Sequence, residues 1–180
     1  QGNDANDWVL LGGQTGAAIY DVENDLKGAD GDDLAISETA GDFFRKLTTN
    51  QLWIQGEEAV SETEVSVGYL TFCLPPRYVA GGAVTLRAVV DDQGAGTLGT
   101  CTVDFSAYLM ANDGSVGSDL VTTAATAVSA TEGAKDFVVT PTGLVAGDKL
   151  VIKLTTSIAE SAAAAIRAVI PKLQVVCSSS

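Results

Sequence analysis

The sequence predicts an all-β protein, an antiparallel β-sandwich of jelly-roll type with an extended N-terminal arm. Three observations carry that prediction. Val, Ile, Thr and aromatic residues alternate with small or polar ones over runs of eight to eleven residues, the period-2 pattern of strands with one buried face. Gly, Asp and Asn gather between the runs, where turns need them. The one stretch of high helix propensity, "AESAAAAIRA" at Ala159–Ala168, is flanked by strand patterns, so a loop with room for a single helical turn is expected there.

Taken in order, Gln1–Ala40 is rich in Gly, Asp and Asn, and its short apolar pieces Trp8–Leu11 and Ala18–Tyr20 are separated by "GGQTG" and "KGADGDD". Residues 1–47 are therefore expected to form an acidic extended arm, with Trp8, Leu10, Ile19 and Tyr20 as side chains that anchor it to a partner. Phe43, Phe44, Leu47, Leu52, Trp53 and Ile54 make the heaviest apolar cluster, expected as a buried strand or a short helix leading into one. Residues 48–180 form the sandwich domain. In "EVSVGYLTFCL", Val65, Val67, Tyr69 and Thr71 alternate with Gly68, Leu70, Phe72 and Leu74, and Pro75–Pro76 ends the run. Past the Gly81–Gly82 turn, Val84, Leu86, Ala88 and Val90 share a face. In "TCTVDFSAYLM", Cys101, Val103, Phe105, Ala107 and Leu109 do the same. "LVTTAATAV" and "KDFVVT" are weaker strands. "DKLVIKLTTS" sets Leu150, Ile152 and Leu154 against Val151, Lys153 and Thr155, and "AIRAVIPKLQVV" closes the pattern. Runs longer than the usual ~5–6 residues suit strands that wrap two sheets.

A chain of 180 residues supports one core plus an arm. Its 46% hydrophobic and 18% charged residues exclude a disordered chain and suggest a surface that partly faces other protein. A net charge of −13, with ten Lys and Arg against 23 Asp and Glu, argues against nucleic acid, whose phosphates need cations. The charge is lopsided: residues 1–64 hold 14 acids and three bases, a net of −11, and the rest is nearly neutral. No apolar run reaches membrane-spanning length, and neither a membrane partner nor a signal peptide is expected. The chain opens on Gln1 rather than Met, from which a start that was trimmed, cleaved or never ordered is expected. Cys73, Cys101 and Cys177 are widely spaced without a CxxC pair, which points to free buried thiols and leaves a Cys73–Cys101 bridge open.

The chain contains no histidine. That removes Ser-His-Asp and Cys-His nucleophiles, histidine bases and histidine-zinc sites. The carboxylate couples Asp91/Asp92 and Glu57/Glu58 remain. Neighbours on a strand point to opposite faces, so neither couple makes an acid/base pair, and no enzyme is expected. "GGQTG" lacks the Lys-Ser/Thr ending of a phosphate loop. Asp30, Asp32 and Asp33, with Asp25 nearby, are the only metal candidates, as oxygen ligands for calcium. Their spacing misses the D-x-D-x-D-G pattern, so a solvated acidic turn is expected, with no cofactor. Asn112–Gly114 reads as a turn. Gly147–Asp148 reads as the turn that opens a core strand, with the Asp148 carboxylate accepting from nearby backbone N–H groups.

Two segments, "YLTFCLPPRYVAGGAVTLRAVV" and "GLVAGDKLVIKLTTS" followed by "AIRAVIPKLQVV", with "TCTVDFSAYLM" between them, resemble the jelly-roll-like β-sandwich virion proteins of tailed bacteriophages. The resemblance covers roughly residues 64–176 and leaves the acidic arm outside. It implies a head decoration (cement) protein on the outer capsid surface of a virion, a homotrimer bound to the major capsid protein, whose arm clamps neighbouring subunits. The alternative is a tail, fibre or carbohydrate-binding sandwich that recognises a cell surface through exposed aromatics, for which Trp8, Trp53, Tyr69, Tyr78 and Tyr108 are available.

Overall fold

Alternation commits each long run to burying one face, and two such sheets stacked face to face satisfy all of them. In a computed structural model, which describes residues 16–36, 41–47, 52–128, 133–161 and 164–180, the strands are β1 (Gly16–Asp21), β2 (Phe44–Leu47), β3 (Leu52–Gln55), β4 (Thr63–Cys73), β5 (Val84–Gly94), β6 (Leu98–Met110), β7 (Val116–Asp119), β8 (Thr126–Ala127), β9 (Gly133–Val139), β10 (Lys149–Glu160) and β11 (Ile166–Ser179). They form two antiparallel sheets. One runs β2-β3-β11-β5-β9, with β1 also on β11; the other runs β4-β10-β6-β7, with β8 also on β6. From β4 to β6, and again from β9 to β11, successive strands alternate between the sheets. The chain thus wraps the core as a jelly-roll-type sandwich does.

The buried faces are the expected ones. Leu70 and Phe72, Val84 to Val90, Cys101 to Ala107 and Leu150 to Ile158 alternate inward, and Leu173, Val175 and Cys177 complete the core from β11. Phe105 and Phe137 meet edge to face across the two sheets at 5.0 Å. No helix is assigned among the described residues. Ala159–Glu160 ends β10 and Ile166–Ala168 begins β11, because ladder pairing on both sides outweighs the helix propensity of the alanines.

The residues expected as an arm, from Gly16 onward, are built into the sandwich. β1 pairs along β11 from Gly16↔Ser179 to Asp21↔Gln174, and β3 pairs at Val169 and Ile170 of the same strand. With β5 on the other edge of β11, β1 and β2-β3 share one side. Val22, Leu26, Leu34 and Phe43 are buried in the common core. The Tyr20 ring packs edge-on against Phe72 at 5.4 Å, and Ile19 is 57% exposed. Trp8 and Leu10 lie outside the described residues.

All three cysteines are free, with Cys101 and Cys177 buried and Cys73 exposed. Cys73 pairs opposite Lys149 and Cys101 opposite Ile158, near the two ends of β10, so a bridge is excluded: nine residues of strand put them about 30 Å apart. Burial, then the nearby Asp92 charge, pushes the Cys101 thiol up to about 12.

Candidate functional site: a groove beside strand β4

The Val22–Leu34 segment lies along the free edge of β4. Lys27 and Tyr69 exchange backbone hydrogen bonds of 2.7 and 3.0 Å, an isolated bridge that fixes the segment's height on the sheet. Gly68 makes the close approach possible. A Cβ there would stand 2.9 Å from the Lys27 carbonyl, 3.0 Å from the Phe43 ring and 3.1 Å from a Leu26 methyl. The acidic turn is held internally. Asp30 Oδ1 accepts from Asp32 N at 2.9 Å, Asp42 Oδ1 accepts from Ala29 N at 2.6 Å, and Asp33 pairs with Lys27. That Lys27 hydrogen bond holds the Asp33 carboxyl below its ordinary value. Arg45 closes the base of the segment, donating to Asn24 Oδ1 at 3.1 Å and to the Glu23 and Asn24 carbonyls at 3.2 and 3.1 Å.

This arrangement leaves a groove of about 460 Å³ on the outer side of the sheet, with Tyr69, Thr71 and Val151 as floor and Asn24, Asp25, Lys27 and Gly31 as rim. The floor is an aromatic ring beside an aliphatic side chain. The rim mixes an amide, a carboxylate and an ammonium, with the Asn24 carbonyl oxygen already committed to Arg45. Such a lining stacks on an apolar ring face while donors and acceptors meet hydroxyl groups at its edge. On the other side of Asn24 lies a smaller hollow of about 120 Å³, between Arg45, Trp53, Ile54, Ile170 and Pro171. Trp53 is partly buried there, its Nε1 donating to Gln55 Oε1 at 3.3 Å.

The aromatic residues named from the sequence thus divide. Tyr69 floors the groove, and Trp53 lines the small hollow. Tyr108 stands partly buried on the outer face of β6. Tyr78 is a core residue, 5% exposed, whose hydroxyl donates to the Gly82 carbonyl at 2.6 Å. Trp8 falls outside the described residues.

Among the described residues, no three acidic or cysteine side chains gather as a metal-binding group; Asp30 and Asp33 are engaged in the turn and the Lys27 pair. The carboxylate couples are also separated in role. Glu57 Oε2 accepts from Gly41 N at 2.7 Å, and Glu58 pairs with Arg167. Asp91 Oδ1 accepts from Asp92 N at 3.0 Å, and burial, then the Asp91 charge, raises the Asp92 carboxyl. Glu160, 6% exposed, is a residue the sequence did not single out. It accepts from Thr97 N at 3.0 Å and Ser61 N at 3.1 Å, tying two loops at one end of the sandwich. The two expected turns are present. Asp113 Oδ1 accepts from Ser115 N at 3.0 Å, and Asp148 Oδ2 accepts from Val145 N at 2.9 Å.

No family model and no curated protein matches this chain. Among solved structures it is similar to the CBM22-1 xylan-binding domain of Paenibacillus barcinonensis Xyn10C, with 14% identity, coverage of 80% of this chain and 99% of that one, and a TM-score of 0.37. It is also similar to TmCBM61 in complex with beta-1,4-galactotriose, with 10% identity, coverage of 88% and 86%, and a TM-score of 0.35. A third similar structure, of infectious bursal disease virus Gx strain, shows 16% identity and a TM-score of 0.30; the match covers 74% of this chain and 35% of that one. At these identities and scores the likeness is one of strand architecture and carries nothing about ligand.

Proposed function

We propose that this protein is a non-catalytic binding module that holds a glycan in the groove between the Val22–Leu34 segment and the outer face of β4 and β10. The observation that carries this is the lining itself: Tyr69 and Val151 as an apolar floor, with Asn24, Asp25, Lys27 and Thr71 around it. A sugar presents one C–H face and a ring of hydroxyls, and this lining offers a partner for each. The absence of histidine from the whole sequence suits binding without turnover. The test is glycan-array binding by the wild type and Tyr69→Ala. Loss of about tenfold or more in affinity with an unchanged unfolding midpoint is expected. Equal binding by the two proteins overturns the assignment.

A second function has its own support. Ile19 and Ile36 stand 57% and 88% exposed in the part of the chain that holds most of the acid. Apolar side chains in such positions suit contact with another protein, as in a phage head decoration protein set on the major capsid protein as a homotrimer at the outer capsid surface. Co-sedimentation with capsids, lost in the double variant Ile19→Asp/Ile36→Asp, is the expected result; capsids that stay bare with the wild type rule it out.

A further inference from the structure

The register of the second sheet carries the site beyond the groove. Tyr69 lies opposite Lys153, and Lys153 opposite Ser106. One row along, Thr71 lies opposite Val151, and Val151 opposite Tyr108. All of these side chains point outward and are exposed or partly buried. Tyr69 and Tyr108 therefore stand at opposite corners of one surface, with Val151 and Lys153 between them. A strand spacing of ~4.8 Å and a rise of ~3.4 Å per residue set their Cα atoms about 12 Å apart. A single sugar ring is too short to touch both tyrosines; a chain is not.

Midway between the two tyrosines the face offers cations: outward positions on β4, β10 and β6 carry Lys149, Lys153 and one acid, Asp104. The other acids stand at its two ends, Asp25 on the groove rim beside Tyr69 and Asp119 opposite Tyr108, its Oδ1 held by Ala107 N and Val121 N at 3.0 and 2.9 Å. Among the described residues neither lysine is engaged in an ion pair. At physiological ionic strength, charges more than ~8 Å away are largely screened, so Lys153 is the cation that a ligand spanning the two tyrosines meets.

Building on the glycan-binding function above, we propose that the ligand is an extended acidic oligosaccharide, laid across β4, β10 and β6 from Tyr69 to Tyr108, with an acid group against Lys153. The probe is an array of neutral and of uronate- or sulfate-bearing oligosaccharides, from monosaccharides to octasaccharides, with affinities of the positive chains measured by calorimetry. Signal is expected on acidic chains of tetrasaccharide length and above. Tyr108→Ala should lower their affinity about tenfold, and Tyr108→Phe, which keeps the ring, should hold it within about twofold. Lys153→Met should lower affinity for acidic chains by about tenfold and flatten its dependence on salt. Equal signal on neutral chains overturns the acidic class. Equal signal on single sugars, or a Tyr108→Ala protein that binds long chains like the wild type, overturns the extended site. In either case, binding that Tyr69→Ala abolishes leaves the groove in place as a glycan site. Silence across the array removes both.

Discussion

Asp148 shows how a single carboxylate can set the entry of a core strand. Its Oδ2 accepts from Val145 N at 2.9 Å, while Gly147 beside it adopts a φ of +90° that only glycine takes without strain. The pair thus stops the chain and launches β10, whose Leu150, Ile152 and Leu154 are buried. Asp148→Ala should cost about 1 kcal/mol, the net worth of one hydrogen bond, read as a lower urea midpoint with glycan binding unchanged. Asp92 has the opposite balance. Its Oδ1 is buried without a hydrogen-bond partner, and burial, then Asp91, raises its carboxyl above the ordinary 3.8. Between the unfolded and folded values the native state binds more protons than the unfolded chain, so stability falls as pH rises through that window. Asp92→Asn should remove this contribution to the slope and leave the protein at least as stable as the wild type at pH 7. Urea unfolding at pH 4 and pH 7 checks it; a variant less stable than wild type at pH 7 contradicts the argument.

At the scale of the element, the groove depends on the absence of one side chain. Gly68 faces the core from β4, and the Lys27 carbonyl, Leu26 and Phe43 occupy the space a Cβ would need. Gly68→Ala should therefore push the Val22–Leu34 segment off the strand edge, cost about 1–3 kcal/mol as overpacking does, and weaken binding at the groove in the same protein. Unfolding and binding measured together test this; a stable variant with full affinity shows that the segment does not set the site. The same contact explains what the sequence showed and what it hid. Period-2 alternation made the long strands and their two faces legible, and it set Tyr69, Tyr108 and Lys153 on the faces opposite Leu70, Leu109 and Leu154, because each strand reports its own alternation locally; which face of β4 is the outer one came from the structure. Nothing local reports a partner more than 40 residues away. The apolar residues of the early segment, Val22, Leu26 and Leu34, are spaced by turns rather than by a strand or helix period, so nothing in their spacing marks them as core. In the structure they complete this chain's own core, and the backbone bridge between Lys27 and Tyr69 assembles the groove from two distant segments. The pairing of β1 with the end of β11 was hidden for the same reason.

For the whole molecule, unbalanced charge is the largest electrostatic effect. Ten cations face 23 acids, so even with every Lys and Arg paired, 13 carboxylates remain without a counter-charge at pH 7. Much of the excess falls within residues 1–64, whose described parts supply β1, β2, β3 and the rim of the groove, so like charges repel within the fold. That repulsion destabilises the compact state. It acts over a Debye length of ~30 Å at 0.01 M salt but only ~10 Å at 0.1 M. The ion pairs Lys27–Asp33, Arg87–Asp136 and Glu58–Arg167 would lose strength in salt, but partly exposed pairs contribute at most about 1 kcal/mol each, and the three of them cannot outweigh 13 uncompensated acids. Thermal stability should therefore rise with sodium chloride from about 0.01 to 0.3 M, by about 2–4 °C for each kcal/mol of repulsion removed. The acidic-glycan site sets the opposite sign for binding, since its attraction at Lys153 is screened by the same salt. A protein whose Tm climbs while its affinity for acidic chains falls across one salt series would show the two fields as separate. A Tm that stays flat or drops would mean that the acids are already neutralised within the fold.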